Sequence, residues 1–233
     1  MNKIFRYEAR RLIFNKFTAG MTLVLAFYSW QILSGEIIQG VAGTAPFSGW
    51  SFGLYSARLA PLLSITTLFF VSFFFSKQEE RVKTITSAAP VDPQKYMSVR
   101  LAACAVCSVV MALFITAIGM VYEKLLFQEA SLSAMAASAL TVFVPSVLFT
   151  LGIGFAAGRI NQMLLFVLMP LMFAFAYLPI PMSCEPFGTN FFLKYPVGLT
   201  DPAFILTGEM TAGRLVFILM GVVLMIVSLR GEK

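Results

Sequence analysis

The chain has 233 residues, of which 59% are hydrophobic and 12% are charged. Because an average soluble domain carries about twice that charged share, the composition excludes an ordinary soluble globule and predicts an all-α integral membrane protein. The sequence has no His and no phosphate-binding G-x-x-x-x-G-K-S/T loop. We therefore expect no catalysis, no metal and no cofactor in this chain.

The first sixteen residues, MNKIFRYEARRLIFNK, carry charges throughout and lack the apolar core of a secretory signal. Apolar side chains fall near one helical face and basic side chains lie around the other: Ile4, Phe5, Leu12 and Ile13 against Lys3, Arg6, Arg10 and Arg11. The pattern predicts an amphipathic interfacial helix over 1–16 that lies in the headgroup plane of a membrane.

Six apolar segments follow, each close to the length that crosses a bilayer as a helix. Their predicted bounds are 17–33, 59–76, 101–122, 132–158, 162–183 and 215–229. Residues 1–233 therefore form a single transmembrane domain, with a charged connection over 77–100 and a Pro- and Gly-containing connection over 184–213. No acidic residue lies in the middle of any predicted span, which argues against an ion or proton pathway.

The distribution of basic residues predicts the orientation in the membrane. If the N-terminus is cytoplasmic, all but four of the 17 Lys and Arg residues fall on the cytoplasmic side. The four on the outer side are Arg58, Lys124, Lys194 and Arg214. Since cytoplasmic loops retain Lys and Arg, we expect a multi-pass plasma-membrane protein with both termini in the cytoplasm. The net charge of +6 then requires no nucleic acid partner.

Arg58 is the one charged residue that the prediction places close to the interior of a span, one turn before Pro61. In one interpretation it lies at the outer boundary and its side chain reaches the headgroups. In the other it faces an internal cavity and binds an anionic group of a substrate.

The charged connection begins with helix-forming residues and then reaches a break at Pro90 and Pro93. Its acidic-basic run at Glu79, Glu80 and Arg81, followed by Thr84, Pro90-Val91 and Tyr96, resembles the permeases of type-2 ABC exporters. The N-terminal run Glu8-Ala9-Arg10-Arg11-Leu12 through Asn15 is similar to the interfacial elbow helix that opens those permeases.

The resemblance implies that 77–100 is a cytoplasmic coupling loop against which a separate ATPase subunit packs. It assigns this contact to Glu79, Glu80, Arg81, Thr84 and Pro90, and also to Tyr96 and Arg100. The residues that it assigns to the interfacial elbow helix, and not to the ATPase contact, are Glu8, Arg10 and Arg11. An exposed pair such as Glu79 and Glu80 contributes little to folding, so we expect these charges to act on the partner.

The resemblance further implies a dimer with a second copy or a related permease, two ATP-binding subunits that hold ATP and Mg²⁺, and export of an amphipathic peptide, lipid-like molecule or drug. The outer connection over 184–213 would form short helices that dip back toward the membrane, since Phe191-Phe192-Leu193 and Ala203 to Leu206 are apolar enough to re-enter it. Two alternatives stay open. One is a self-contained secondary carrier or channel, and the other is a non-transporting membrane scaffold or sensor.

Overall fold

The computed structural model describes residues 2–76, 79, 93–128, 131–178, 180–181, 185–195 and 198–230. This part of the chain contains helices and no strand, as expected for an all-α membrane protein. The helices are α1 (Asn2–Ile13), α2 (Lys16–Gly35), α3 (Gly49–Phe74), α4 (Pro93–Leu126), α5 (Leu132–Ile160), α6 (Gln162–Phe175), α7 (Thr189–Lys194) and α8 (Gly208–Arg230), with a 3-10 turn at Ile37–Gln39.

Five of these helices are long and apolar enough to cross a membrane: α2, α3, α4, α5 and α8. The predicted span over 162–183 is shorter than expected, because α6 ends at Phe175 after 14 residues. At a rise of about 1.5 Å per residue it is about 21 Å long, less than the roughly 30 Å hydrocarbon core. The sequence continues to Pro179 and Pro181, and a residue that precedes proline disfavours the helical conformation.

α5 and α8 run in the same direction. The Arg159 Nη1 donates a hydrogen bond to the Ser228 carbonyl at 2.5 Å, and Gly152 lies against Gly221 about two turns earlier in both helices. Because the two helices are parallel, the chain between them has to return to the opposite end of the bundle. α6 begins that return directly after Asn161, so the short helix replaces the fifth predicted span in an up-and-down bundle.

The neighbouring helices follow the same alternation. Tyr55 donates to the Ile115 carbonyl at 2.7 Å and Thr67 donates to Ser108 at 3.0 Å, which makes α3 and α4 antiparallel. Consequently, α1, the start of α4 and the C-terminal ends of α3, α5 and α8 lie together. We call this the α1 end of the bundle. The predicted cytoplasmic basic residues that the structure describes lie there.

α3 is the central helix and begins ten residues earlier than predicted. Its first turns are rich in Gly and Ser, which hid them from a hydropathy pattern, but the helix is buried along most of its length. Ser48 caps its N-terminus by accepting a hydrogen bond from the Ser51 amide at 3.2 Å. Thr66 and Thr67 donate to carbonyls one turn earlier. Polar side chains are therefore tolerated in this span because protein, not lipid, surrounds them.

Candidate functional site at the α1 end

Two groups of residues that the sequence placed far apart meet at the α1 end. Glu8 and Arg11 lie on α1, Glu79 follows α3, and Tyr96 and Arg100 lie on the first two turns of α4. We call these five residues the ion-pair cluster. The helix that contains Tyr96 and Arg100 begins at Pro93, so the predicted coupling loop over 77–100 is helical in its last eight residues.

Arg100 is the centre of the cluster. Its guanidinium donates through Nη2 to Glu79 Oε2 and to the Tyr96 hydroxyl, the latter at 2.8 Å. Its Nε lies 3.5 Å from Glu8 Oε1. The guanidinium carbon is 5.0 Å from the ring centre of Phe74 and 4.4 Å from that of Tyr96. Arg100 therefore pairs with two carboxylates while aromatic rings cover its faces.

Arg11 joins the cluster from the side of α1. Its Nη1 lies 2.5 Å from Glu79 Oε1 and 3.8 Å from Glu8 Oε2. Burial acts to lower the pKa of Arg11, but the hydrogen bond and charge of Glu79 raise that pKa overall. The Tyr96 hydroxyl also donates to Glu8 Oε1 at 3.3 Å. Two carboxylates and two guanidinium groups thus balance one another.

Burial sets the energetic character of this cluster. Glu8, Glu79 and Arg100 are each less than 10% exposed, so water screens their mutual attraction only weakly. Removal of one member from such a network leaves another charge buried without a partner, which is costly. The cluster therefore fixes the positions of α1, Glu79 and the start of α4 relative to one another.

The position of Glu79 corrects the expectation of an exposed charge. Its carboxylate faces Arg11 and Arg100 inside the chain, so its direct partners are intramolecular. Arg10 does not join the cluster. It is exposed, and its guanidinium carbon lies 5.9 Å from the ring centre of Phe14. The other predicted coupling residues lie outside the described residues: Glu80, Arg81, Thr84 and Pro90.

Arg58 has a partner that neither interpretation of the sequence included. Its Nε and Nη2 donate to the two carboxylate oxygens of Glu36 at 3.1 and 2.8 Å. Glu36 lies just beyond α2, 22 residues earlier in the chain. The pair joins α2 to the first half of α3 and is partly exposed. Arg58 is thus neutralised within the chain, and the sequence offered no spacing signal for this contact.

Glu123 is an acidic residue one position beyond the predicted span over 101–122. α4 continues to Leu126, so Glu123 lies in its last turn, where it is 1% exposed. Neither of its carboxylate oxygens has a hydrogen-bond partner among the residues that the structure describes. One turn earlier, Gly119 leaves room for the Tyr55 ring; an added Cβ would lie 2.6 Å from it. Within the described part of the chain, protein encloses this carboxyl and no cation is paired with it. Such an arrangement often marks function in membrane proteins.

The outer connection folds back onto α3. Glu185 accepts hydrogen bonds from the Asn190 amide at 3.0 Å and so caps the short helix α7. Burial raises the pKa of Glu185, although these backbone hydrogen bonds oppose the shift. Phe191 and Phe192 are buried, and the Tyr195 ring stacks on Trp50 of α3 at 5.1 Å. The predicted apolar helix of the 184–213 connection thus packs against the first turns of α3.

Comparison with protein-family models, with curated proteins and with solved structures gave no match.

Proposed function

We propose that this chain is the membrane-spanning permease subunit of an ATP-driven exporter of the type-2 ABC class. The observation that carries the proposal is the ion-pair cluster, because it joins the interfacial helix, Glu79 near the start of the proposed coupling loop, and the start of α4. The exporter would move an amphipathic peptide, lipid-like molecule or drug out of the cell. It would work with a second permease copy, or a related permease, and with two separate subunits that bind ATP and Mg²⁺.

The geometry suits the transfer of motion from a partner to the membrane helices. A displacement of 80–92 by an ATPase acts first on Glu79 and on α4, which flank that segment. Because Glu79 is paired with Arg11 and Arg100, the displacement also acts on α1. The partner thus biases α1 and α4 together between two arrangements of the bundle.

The orientation that this function needs places the α1 end in the cytoplasm. Reporter fusions after residue 90 and after residue 233 are expected to read cytoplasmic, and a fusion after Phe127 is expected to read external. A cytoplasmic reading after Phe127 would contradict both the orientation and the proposed function.

Copurification tests the partnership directly. The tagged chain, extracted in mild detergent, is expected to retain an ATP-binding subunit and to show ATP hydrolysis only with that subunit. Arg100→Gln is expected to uncouple hydrolysis from transport in whatever fraction assembles, whereas Lys194→Gln, an exposed change at the opposite end, is expected to behave as wild type. Purification without any ATPase from the native host, or hydrolysis by the chain alone, would refute the proposal.

A proton-coupled secondary carrier is the second candidate, and Glu123 is the observation that favours it. This carboxyl is buried and has no hydrogen-bond partner in the described ranges. Such a group can bind and release a proton during transport. In vesicles loaded with a pH-sensitive dye, this function predicts proton movement that is independent of ATP and that Glu123→Gln abolishes. An exporter driven by ATP predicts no such movement.

A further inference from the structure

The charges of α1 are divided between two faces of the helix. Glu8, its only acidic residue, and Arg11 face the bundle and belong to the ion-pair cluster. Lys3, Arg6 and Arg10 are exposed. With the one carboxylate of the helix turned inward, the outward face of α1 is purely cationic.

A groove of about 770 Å³ runs along this outward face. Its lining includes the three exposed basic residues together with Phe5, Ile13 and Phe14. Phe14 is 81% exposed, and the guanidinium of Arg10 lies beside its ring. Lys3, Arg6 and Arg10 are spaced by three and four residues, so they form one row about 10 Å long. Cationic and apolar side chains therefore line the same groove.

The connection to α2 holds this groove beside the membrane. Only two residues separate α1 from α2, which is the first membrane-crossing helix. Thr18 donates to the Leu12 carbonyl at 2.6 Å, and the Asn15 side chain caps α2 by accepting from the Phe17 amide at 3.1 Å. Since this corner is hydrogen-bonded from both sides, α1 lies where the first span leaves the hydrocarbon, at the level of the headgroups.

We infer that the outward face of α1 is a binding site for an anionic phospholipid. The lipid phosphate would bind Arg6 and Arg10, because guanidinium groups contact phosphate oxygens with two N–H groups each. Lys3 adds a third positive charge, and an acyl chain lies against Phe5, Ile13 and Phe14. A zwitterionic lipid offers no net charge to this row and binds more weakly. The site is independent of any ATPase and goes beyond the proposed function.

Photo-crosslinking in reconstituted vesicles tests the site. The full chain is placed in phosphatidylcholine vesicles that contain a trace of photoactivatable phosphatidylglycerol, and the labelled peptides are identified by mass spectrometry. Labelling of α1 is expected, with competition by unlabelled phosphatidylglycerol. Each basic residue near the surface contributes about fivefold to the affinity for anionic lipid. The triple change Lys3→Gln, Arg6→Gln and Arg10→Gln is therefore expected to weaken competition by about two orders of magnitude.

Two control variants separate charge from folding and from general electrostatics. Arg6→Lys with Arg10→Lys keeps the charge and is expected to retain most of the labelling. Lys124→Gln with Lys194→Gln removes exposed charges at the opposite end of the bundle and is expected to leave α1 labelling unchanged. None of these side chains is buried, so all the variants are expected to fold as the wild type does. Melting curves check that they do.

Four results would overturn the inference. Equal labelling of the triple variant would show that the charges do not matter. Equal labelling by a photoactivatable phosphatidylcholine would indicate an ordinary lipid shell. Equal competition by glycerol phosphate would indicate a site for free phosphate. Loss of α1 labelling when a copurifying protein is bound would show that a protein covers this face. None of these results bears on whether an ATPase drives the chain.

Discussion

Replacement of Arg100 by Gln is the sharpest test of the ion-pair cluster. The change removes one of the two guanidinium groups that contact both carboxylates, Glu8 and Glu79, and leaves Arg11 as the other. The Arg100 side chain is 10% exposed and that of Glu79 is 8% exposed. Loss of one partner from so buried a pair typically costs about 3–5 kcal/mol of folding free energy.

Arg11→Gln provides the matched comparison. Arg11 contacts the same two carboxylates, but its side chain is 35% exposed. Solvent therefore screens its interactions, and its removal is expected to cost under about 1 kcal/mol. The contrast between the two substitutions follows from burial alone, because both remove one positive charge from the same network.

Unfolding in mixed micelles of mild detergent and dodecyl sulfate measures these free energies, with tryptophan fluorescence as the probe. Trp50 is buried against Tyr195, so its emission changes when the bundle opens. A double-mutant cycle with Glu79→Gln and Arg100→Gln is expected to give a coupling energy between about 0.5 and 3 kcal/mol. The reasoning is refuted if Arg11→Gln costs as much as Arg100→Gln, or if the cycle shows no coupling.

Three further substitutions test other parts of the structure. Arg58→Lys keeps the charge but loses the two-point contact with the Glu36 carboxylate. We expect it to lower the free energy of unfolding by under about 1 kcal/mol in the same assay. A loss of several kcal/mol would mean that solvent screens the pair less than its exposure indicates. Glu123→Gln replaces a buried carboxyl, which has no partner in the part of the chain that the structure describes, by a neutral group of the same shape. It is expected to preserve or raise stability at neutral pH, with the exposed Glu209→Gln as control. A clear loss of stability would indicate that a cation is paired with Glu123. Gly221→Ala places a Cβ 2.5 Å from a carbonyl oxygen of α5 and is expected to cost about 1–3 kcal/mol, whereas Gly20→Ala meets nothing within 4 Å and is expected to be neutral or slightly stabilising.

The sequence predicted the helical class and most of the spans because hydropathy is a local property. It predicted the starts of α2 and α5 within a residue, since charged or polar residues stand directly before them. It misplaced the start of α3 by ten residues, because the first turns of Gly49–Phe74 are rich in Gly and Ser and are buried by other parts of the chain. It overextended α6, because apolar residues continue beyond the end of the helix at Phe175.

The candidate site was predicted in its residue types but not in its contacts. Glu8, Glu79, Tyr96 and Arg100 were all singled out, yet the contact between α1 and α4 spans 88 residues in the pair Tyr96–Glu8. No local spacing encodes such a contact. For the same reason the sequence did not predict the pair of Arg58 with Glu36. It also predicted that Glu79 is exposed, whereas its long-range contacts with Arg11 and Arg100 bury it. The ATPase contact of Glu80, Arg81, Thr84 and Pro90 stays a prediction, because these residues lie outside the described part of the chain.

The close approach of Gly152 and Gly221 has a consequence for how the bundle can move. An added Cβ at Gly152 would lie 2.8 Å from the Gly221 Cα, so the two backbones touch with no side chain between them. Such a seam resists sliding, because any shift along it brings larger residues into backbone contact. Arg159 also joins the same two helices near their ends. We therefore expect α5 and α8 to move together as one rigid unit. Any rearrangement of the bundle is then expected to move the other helices relative to this pair.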